Sequence, residues 1–251
     1  MAWTFCIQTD PGLLRKNNED SAIVDAASGL AVVADGMGGY NAGEVASEMA
    51  TAALRSELGQ RLLKRGSHAF SVDIKTAMRQ CVTLVNHSIL ATAQANPAYR
   101  GMGTTLVVGV FQGSQLTLGH IGDSRCYRLR AHKLTQITKD HSVIQARIDA
   151  GLITVAQAAH SHEKNLLTRA LGVDSTCELE VVTLEVLPGD LYLLCTDGLT
   201  DMLHDQDISV TLDLALSLEE RAQRLVAQAN NKGGRDNITV LLAQKEASLN
   251  V

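Results

Sequence analysis

The chain has 251 residues, of which 45% are hydrophobic and 20% charged, and its formal net charge is −5. This is ordinary globular composition, and the length allows one or two domains. No basic block is present, which disfavours nucleic acid as a partner, and the longest apolar runs fall far short of the roughly 18 residues of a membrane span. The first ten residues lack the basic and apolar parts of a secretory signal, so we expect a cytoplasmic protein.

In chain order, short segments rich in β-branched and aliphatic residues predict strands, and longer segments with apolar residues three and four positions apart predict helices. Strands are expected at 22–25 and 30–34, helices at 42–58 and 70–95, strands at 104–112, 115–121, 125–129, 179–186 and 191–195, a helix at 218–230 and a strand at 238–243.

The order of these elements predicts an α+β layered sandwich, because strands occur in runs separated by helices and do not alternate strictly with them. Turn residues at 112–114 and 122–124 predict hairpins within one antiparallel meander from 104 to 136. No repeat or linker divides the chain, so residues 1–251 are expected to form a single domain. Residues 140–172 are poorly patterned, and we call them the flap segment.

The most informative residues are aspartates at the ends of apolar strands. Asp35 and Asp197 each end a strand and precede glycine, Asp123 follows the strand at 115–121, and Asp236 precedes the strand at 238–243. A single Asp-Gly pair is more often only a turn. If all four carboxylates converge, however, they require protonation or a metal ion, and hard oxygen ligands suit Mg²⁺ or Mn²⁺.

Other chemistries lack their signatures. The cysteines are odd in number, scattered and without a C-x-x-C pair, which argues against disulfides and zinc. No cysteine has arginine six positions later, as the phosphate loop of cysteine phosphatases requires, and the common nucleotide-binding and serine-hydrolase motifs are missing. For His120, on a predicted strand, a solvated or a core histidine is favoured over a metal ligand. The cysteines are Cys6, Cys81, Cys126, Cys177 and Cys195.

The ensemble of motifs resembles the PPM family, the protein phosphatase 2C-like metal-dependent Ser/Thr phosphatases, in its compact bacterial form. The matching motifs follow family order and extend over residues 15–240. They are RKNNED at 15–20, VADGMGG at 33–39, GTT at 103–105, GHIGDSR at 119–125, DHS at 140–142, LTRALG at 167–172, TDGL at 196–199 and GRDNITV at 234–240.

This resemblance implies a four-layer α/β/β/α sandwich, with two central antiparallel β-sheets flanked by helices and a metal centre where the sheets meet. Asp35 would bridge two Mn²⁺ or Mg²⁺ ions, the Gly36 carbonyl would bind one of them, and Asp197 and Asp236 would complete the shell of the other. Asp123 would help to hold a third, weaker ion. A water shared by the two ions would attack phosphorus directly, as in other two-metal sites.

The resemblance also assigns residues around the ions. Arg15 matches the phosphate-binding arginine of the family, and Glu19, Asp20 and Asn237 would orient metal-bound waters or a ligand. Tyr40 stands where many bacterial relatives have histidine. A phenol exchanges protons poorly near neutral pH, so Tyr40 would instead stack on or hydrogen-bond to substrate.

The expected function is hydrolysis of phosphoserine and phosphothreonine in proteins by a monomeric enzyme that opposes a Ser/Thr kinase. Its partners would be that kinase and the kinase's substrates. Two alternatives stay open at this point: a non-catalytic module that binds phosphoproteins, and a phosphatase dedicated to one regulatory factor in a partner-switching pathway. Because loops on rigid scaffolds commonly carry specificity, the flap segment is expected to select substrates.

Overall fold

The computed structural model describes residues 3–39, 42–64, 73–158 and 166–245. Its strands form two antiparallel sheets. The strands are β1 (Trp3–Asp10), β2 (Asp20–Asp25), β3 (Leu30–Met37), β4 (Gly103–Thr104), β5 (Leu106–Gln112), β6 (Gln115–Ile121), β7 (Arg125–Arg130), β8 (Lys133–Gln136), β9 (Glu180–Glu185), β10 (Leu191–Cys195) and β11 (Ile238–Lys245). The first sheet has the order β1-β11-β10-β7-β8, and the second has the order β2-β3-β5-β6-β9, with β4 paired to β3.

Helices cover the outer face of each sheet. The helices are α1 (Ala42–Leu54), α2 (Gln60–Lys64), α3 (Ile74–Ala95), α4 (Val143–Asp149), α5 (Val155–Ala158), α6 (Asp197–Thr200), α7 (Asp205–Leu212) and α8 (Leu218–Asn231). Apolar residues of α1 and α3 pack on the second sheet, and those of α7 and α8 pack on the first. The predicted α+β four-layer sandwich is confirmed. No helix in the described part of the chain is long and apolar enough to cross a membrane.

Between the sheets, the side chains change from apolar to polar along the strands. Trp3, Phe5, Phe111 and Tyr192 form an aromatic cluster with ring centroids 4.7–6.3 Å apart. In β3, Ala31 and Val33 face the other sheet, and strand periodicity puts Asp35 on the same face two residues later. The inter-sheet layer therefore has an apolar body and a polar end.

Two sequence predictions are wrong in detail. Residues 122–124 do not form a hairpin, because β6 belongs to the second sheet and β7 to the first, so this connection crosses between the sheets. The predicted strand at 104–112 is divided at Thr105, whose N–H donates to the Asp35 carbonyl at 2.8 Å. Both differences from the prediction place polar residues next to the end of β3.

Other differences concern element ends and one omission. β1 was not predicted, although WTFCIQTD alternates in polarity as a strand requires. The helix expected at 42–58 ends its α-helical part at Leu54 and continues through a π-helical turn, Arg55–Gly59. In the described chain, α3 begins after Asp73, whose carboxylate accepts from the Lys75 and Thr76 amides; the earlier residues of that prediction at 70–72 lie outside the described residues.

Candidate metal centre

A recess of about 220 Å³ opens at the polar end of the two sheets. It is lined by side chains from several strand ends and connecting loops. They are Arg15, Glu19, Asp35, Gly36, Met37, Gly38, Thr105, Asp123, Leu167, Asp197 and Asp236. The four aspartates predicted from the sequence therefore converge, although they are distributed over about 200 positions of the chain.

Hydrogen bonds to two threonines fix the backbone of Asp35. Its N–H donates to the Thr105 hydroxyl at 3.0 Å, and its carbonyl accepts from the Thr104 hydroxyl at 2.9 Å. In the register of β2 and β3, Asp20 lies directly opposite Asp35. Burial, followed by the negative charges of Asp20 and Asp197, raises the pKa of Asp35 well above its usual range.

Gly36 permits a close approach of three segments. A Cβ at this position would collide with the backbone of Gly43 in α1 and with the Glu19 carbonyl, 2.6 Å away. The Glu19 carbonyl also accepts from the Gly36 amide at 3.1 Å and from the Ser47 hydroxyl at 2.6 Å. Glycine here is therefore required by backbone packing, independently of any ion.

The opposite wall is built from β10 and β11. Asp197 follows β10, and a Cβ on the next residue, Gly198, would collide with the Asn237 carbonyl. Asn237 accepts from the Glu19 amide at 2.7 Å and donates to the Pro11 and Asn17 carbonyls. The side chain of Asn237 thus ties the loop carrying Glu19 to the start of β11.

Arg15 lies at the rim of the recess. Its Nη2 donates to Oδ2 of Asp236 at 2.7 Å, and the Arg15 side chain is 53% exposed. The sequence predicted almost no compensating cation among the immediate neighbours of the aspartates. The cation that pairs with Asp236 is Arg15, which lies 221 positions earlier in the chain. An ion pair this exposed contributes little to stability, so the guanidinium can turn toward a ligand at low cost.

Asp123 lies in the connection that crosses between the sheets. Gly122 has φ +96°, and a Cβ there would meet the Thr105 side chain at 2.7 Å. The Thr105 hydroxyl also lies 2.7 Å from the Ser124 hydroxyl. Thr105 therefore links the end of β3 with the Asp123 loop. Burial, and next the charge of Asp140, raises the pKa of Asp123 to about 6.

The donor set fits hard divalent cations. Burial raises the pKa of Asp20 to about 7 and that of Asp197 well above its usual range, with neighbouring carboxylates adding to both shifts. Oδ2 of Asp20 accepts from the Thr196 hydroxyl at 2.9 Å, whereas Oδ1 is buried without a protein partner among the described residues. Carboxylates gathered in this way are stabilised by a cation that binds through oxygen.

Comparison with known proteins decides the family. The family model described as protein phosphatase 2C matches residues 15–242. The chain belongs to the protein phosphatase 2C family. It is 37% identical over 242 residues to the serine/threonine phosphatase stp of Listeria monocytogenes serovar 1/2a, covering 95% of this chain and 94% of the relative.

Solved structures agree with this assignment. The crystal structure of the Mycobacterium tuberculosis serine/threonine phosphatase PstP/Ppp matches with a TM-score of 0.89 and 39% identity, covering 98% of this chain and all of that one. A structure of the catalytic domain of PstP in complex with two manganese ions matches with a TM-score of 0.84 and 39% identity, covering 96% of this chain and 97% of that one. The predicted family and enzyme class, a phosphoprotein phosphatase, are confirmed.

Several residues that support this 2C-type site had no individual role in the sequence analysis. Thr105 and Thr196 are polar residues at strand ends, and each joins two segments through its hydroxyl. Their signal was weak, because a threonine in a strand is ordinarily a β-former. Tyr40 lies outside the described residues, so its predicted substrate contact stays a prediction.

Proposed function

We propose that this 2C-family chain is a manganese- or magnesium-dependent phosphatase of phosphoserine and phosphothreonine in proteins. The observation that carries the proposal is the convergence of Asp35, Asp123, Asp197 and Asp236 on one recess with Arg15 at its rim. A phosphate monoester dianion needs cations where its charge lies, and a cluster of buried carboxylates recruits them.

In this proposal, Asp35 and the Gly36 carbonyl would hold one ion, and Asp35, Asp197 and Asp236 would hold a second. Asp123 would help to bind a third, weaker ion. When bound, the ions lower the pKa of a coordinated water and neutralise charge on the phosphoryl group. The protein contributes fixed ligand positions, since the Asp35 backbone and Gly198 are both locked by neighbouring chain.

Arg15 binds the phosphoryl oxygens of the substrate. Its guanidinium already contacts Asp236 and is half exposed, so it can donate to phosphate while staying close to the carboxylates. Glu19 and Asp20 would orient waters on the bound ions. Asn237 fixes the Glu19 loop through its side chain, and its backbone N–H donates to Oδ1 of Asp236 at 2.9 Å.

The remaining proposals concern the wider enzyme. Residues 1–251 act as a single catalytic domain, and the flap segment at 140–172 selects substrates. Tyr40 contacts the substrate near the recess. The enzyme works as a cytoplasmic monomer that opposes a Ser/Thr kinase and dephosphorylates the kinase and its targets. These statements rest on the sequence resemblance and on the phosphatase names of the relatives.

The test is a metal titration of chelator-treated protein with a phosphothreonine peptide. Activity should return with Mn²⁺ or Mg²⁺, and Asp197→Asn should lower kcat at least about 100-fold, because it removes a charged ligand. Asp207→Asn is the matched control, since Asp207 lies on the surface and pairs with Lys232. A folded parent protein that binds Mn²⁺ but hydrolyses no phosphopeptide or aryl phosphate would favour a phosphoprotein-binding module.

A further inference from the structure

His141, in the DHS motif, has no role in the reaction proposed above, yet it contacts the Asp123 loop, Glu180 on β9 and the end of the flap segment. The side chain is buried, and its ring stacks on that of His120 with centroids 4.6 Å apart. His120 is itself buried, so of the two alternatives left by the sequence it is a core histidine and not a solvated one. On one side His141 contacts the loop of Asp123, and on the other it contacts the end of the flap segment.

The contact with the Asp123 loop is reciprocal. The Gly122 N–H donates to Nδ1 of His141 at 3.2 Å, and the His141 N–H donates to the Gly122 carbonyl at 2.9 Å. The His141 carbonyl in turn accepts from the Thr168 N–H at 2.8 Å. Gly122, the residue that precedes Asp123, is therefore held at its N–H by the imidazole ring and at its carbonyl by the backbone N–H of the same histidine.

The hydrogen bonds also define the protonation of the ring. Because Nδ1 accepts from a backbone amide, the proton of the neutral imidazole is on Nε2, which lies 3.3 Å from Oε2 of Glu180. Burial lowers the pKa of His141, which keeps the ring neutral at neutral pH. Glu180, exposed on β9, thus selects the tautomer that can hold Gly122.

A metal ion is a less suitable occupant of this cluster. One donor atom each from His120, His141 and Glu180 lies within 4.8 Å of the other two. However, Nε2 of His141 carries a proton when Nδ1 accepts from Gly122, and Nε2 of His120 lies 2.9 Å from the Lys139 carbonyl. A cation would have to displace the hydrogen bonds that order the loop.

We infer that His141, with its tautomer set by Glu180, is a positioning residue that aims the Asp123 carboxylate into the metal recess by holding Gly122, the residue before it. The inference rests on the proposed function of Asp123. Gly122 has a left-handed conformation and packs on Thr105, so the loop has little freedom while its amide is bonded. Without Nδ1 of His141 as acceptor, the buried Gly122 N–H is left unpaired, and the loop lowers its free energy by turning Gly122 toward water.

Two substitutions of His141 separate the acceptor from the rest of the ring. Asparagine places an oxygen near the position of Nδ1, whereas phenylalanine keeps a stacking ring and removes the acceptor. We expect His141→Phe to raise the Mn²⁺ concentration for half-maximal activity about 10-fold and His141→Asn to recover most of this loss. His132→Asn is the control, because His132 is exposed on a distant turn with φ +62°, which asparagine tolerates.

A double-mutant cycle tests whether His141 acts through Asp123. In an Asp123→Asn background, His141→Phe should cause little further change in the Mn²⁺ requirement, whereas a purely structural role would give additive effects. Additive effects, or equal Mn²⁺ requirements for His141→Phe and the parent, would overturn the inference. Calorimetry of Mn²⁺ binding gives the same comparison without an activity assay. A parent protein that binds Mn²⁺ but is inactive would refute the proposed function, and the inference on His141 would still be tested by the binding data.

A measurement on the parent protein covers the case in which the variants fail to fold. With ¹⁵N-labelled protein, NMR should detect a coupling through the hydrogen bond between the Gly122 amide nitrogen and Nδ1 of His141, and a ¹⁵N shift typical of an unprotonated Nδ1. A protonated Nδ1, or a Gly122 amide that exchanges as fast as an exposed loop amide, would contradict the arrangement.

Discussion

Replacing Asp20 by asparagine should stabilise the metal-free protein, and increasingly so as the pH rises. Burial raises the pKa of Asp20 from 3.8 to about 7 in the folded chain. Between these values the folded protein holds a proton that the unfolded chain has lost, so the free energy of unfolding falls as pH rises through this range and levels off above about pH 7. At about 1.4 kcal/mol per pH unit, the full change is about 4 kcal/mol.

The asparagine variant lacks this titration while its amide oxygen still accepts from the Thr196 hydroxyl. The test is urea unfolding of both proteins in the presence of a chelator at pH 4 to 8.5. The unfolding free energy of the variant minus that of the parent should grow by about 4 kcal/mol from the lowest to the highest pH. Adding Mn²⁺ at pH 8 should reduce the difference, because the ion stabilises the folded parent.

Asp207→Asn is the control for this experiment. Lys232 lowers the pKa of Asp207, so the control should not reproduce the growing stabilisation above pH 4. A stability difference between Asp20→Asn and the parent that is the same at pH 4.5 and pH 8 would refute the reasoning. So would a metal-free parent that becomes more stable than the variant as carboxylates ionise.

Three further predictions concern the core, the glycine contact and the rim. Phe111→Ala should lower the unfolding free energy by about 3–5 kcal/mol in urea titrations, because Phe111 lies within the aromatic cluster; a loss below 1 kcal/mol would contradict that role. Gly36→Ala should destabilise by about 2–4 kcal/mol through collision with the Gly43 backbone, measured against Gly39→Ala, which has open space and no left-handed φ. Arg15→Ala should raise KM for an aryl phosphate about 10-fold, and an unchanged KM would exclude phosphate binding.

The period of the strands made much of the site predictable. In β3, the alternation that puts Ala31 and Val33 between the sheets continues to Asp35, so the sequence itself indicates which aspartate faces inward. The motifs then supplied the partners from the other sheet, Asp197 and Asp236, which the fold brings to the same recess.

The contacts between distant segments and the course of the turns could not be predicted from strand periodicity and motifs. Residues 122–124 have the composition of a hairpin turn, and the same residues serve equally for a chain that crosses between sheets. The pairing of Arg15 with Asp236 depends on two loops that are 221 positions apart. The contact of Gly122 with His141 likewise requires the flap segment to be placed first.

The polar end of the inter-sheet layer also has a consequence for the order of events in folding. Its carboxylates come from residues 20, 35, 123, 197 and 236, so the proposed ion site is complete only after both sheets have formed and docked. Manganese should therefore slow unfolding without accelerating folding, because a transition state that lacks the site cannot bind the ion. The aromatic cluster at the opposite end stabilises the contact between the sheets, whereas the carboxylates at the polar end repel one another in the absence of a cation.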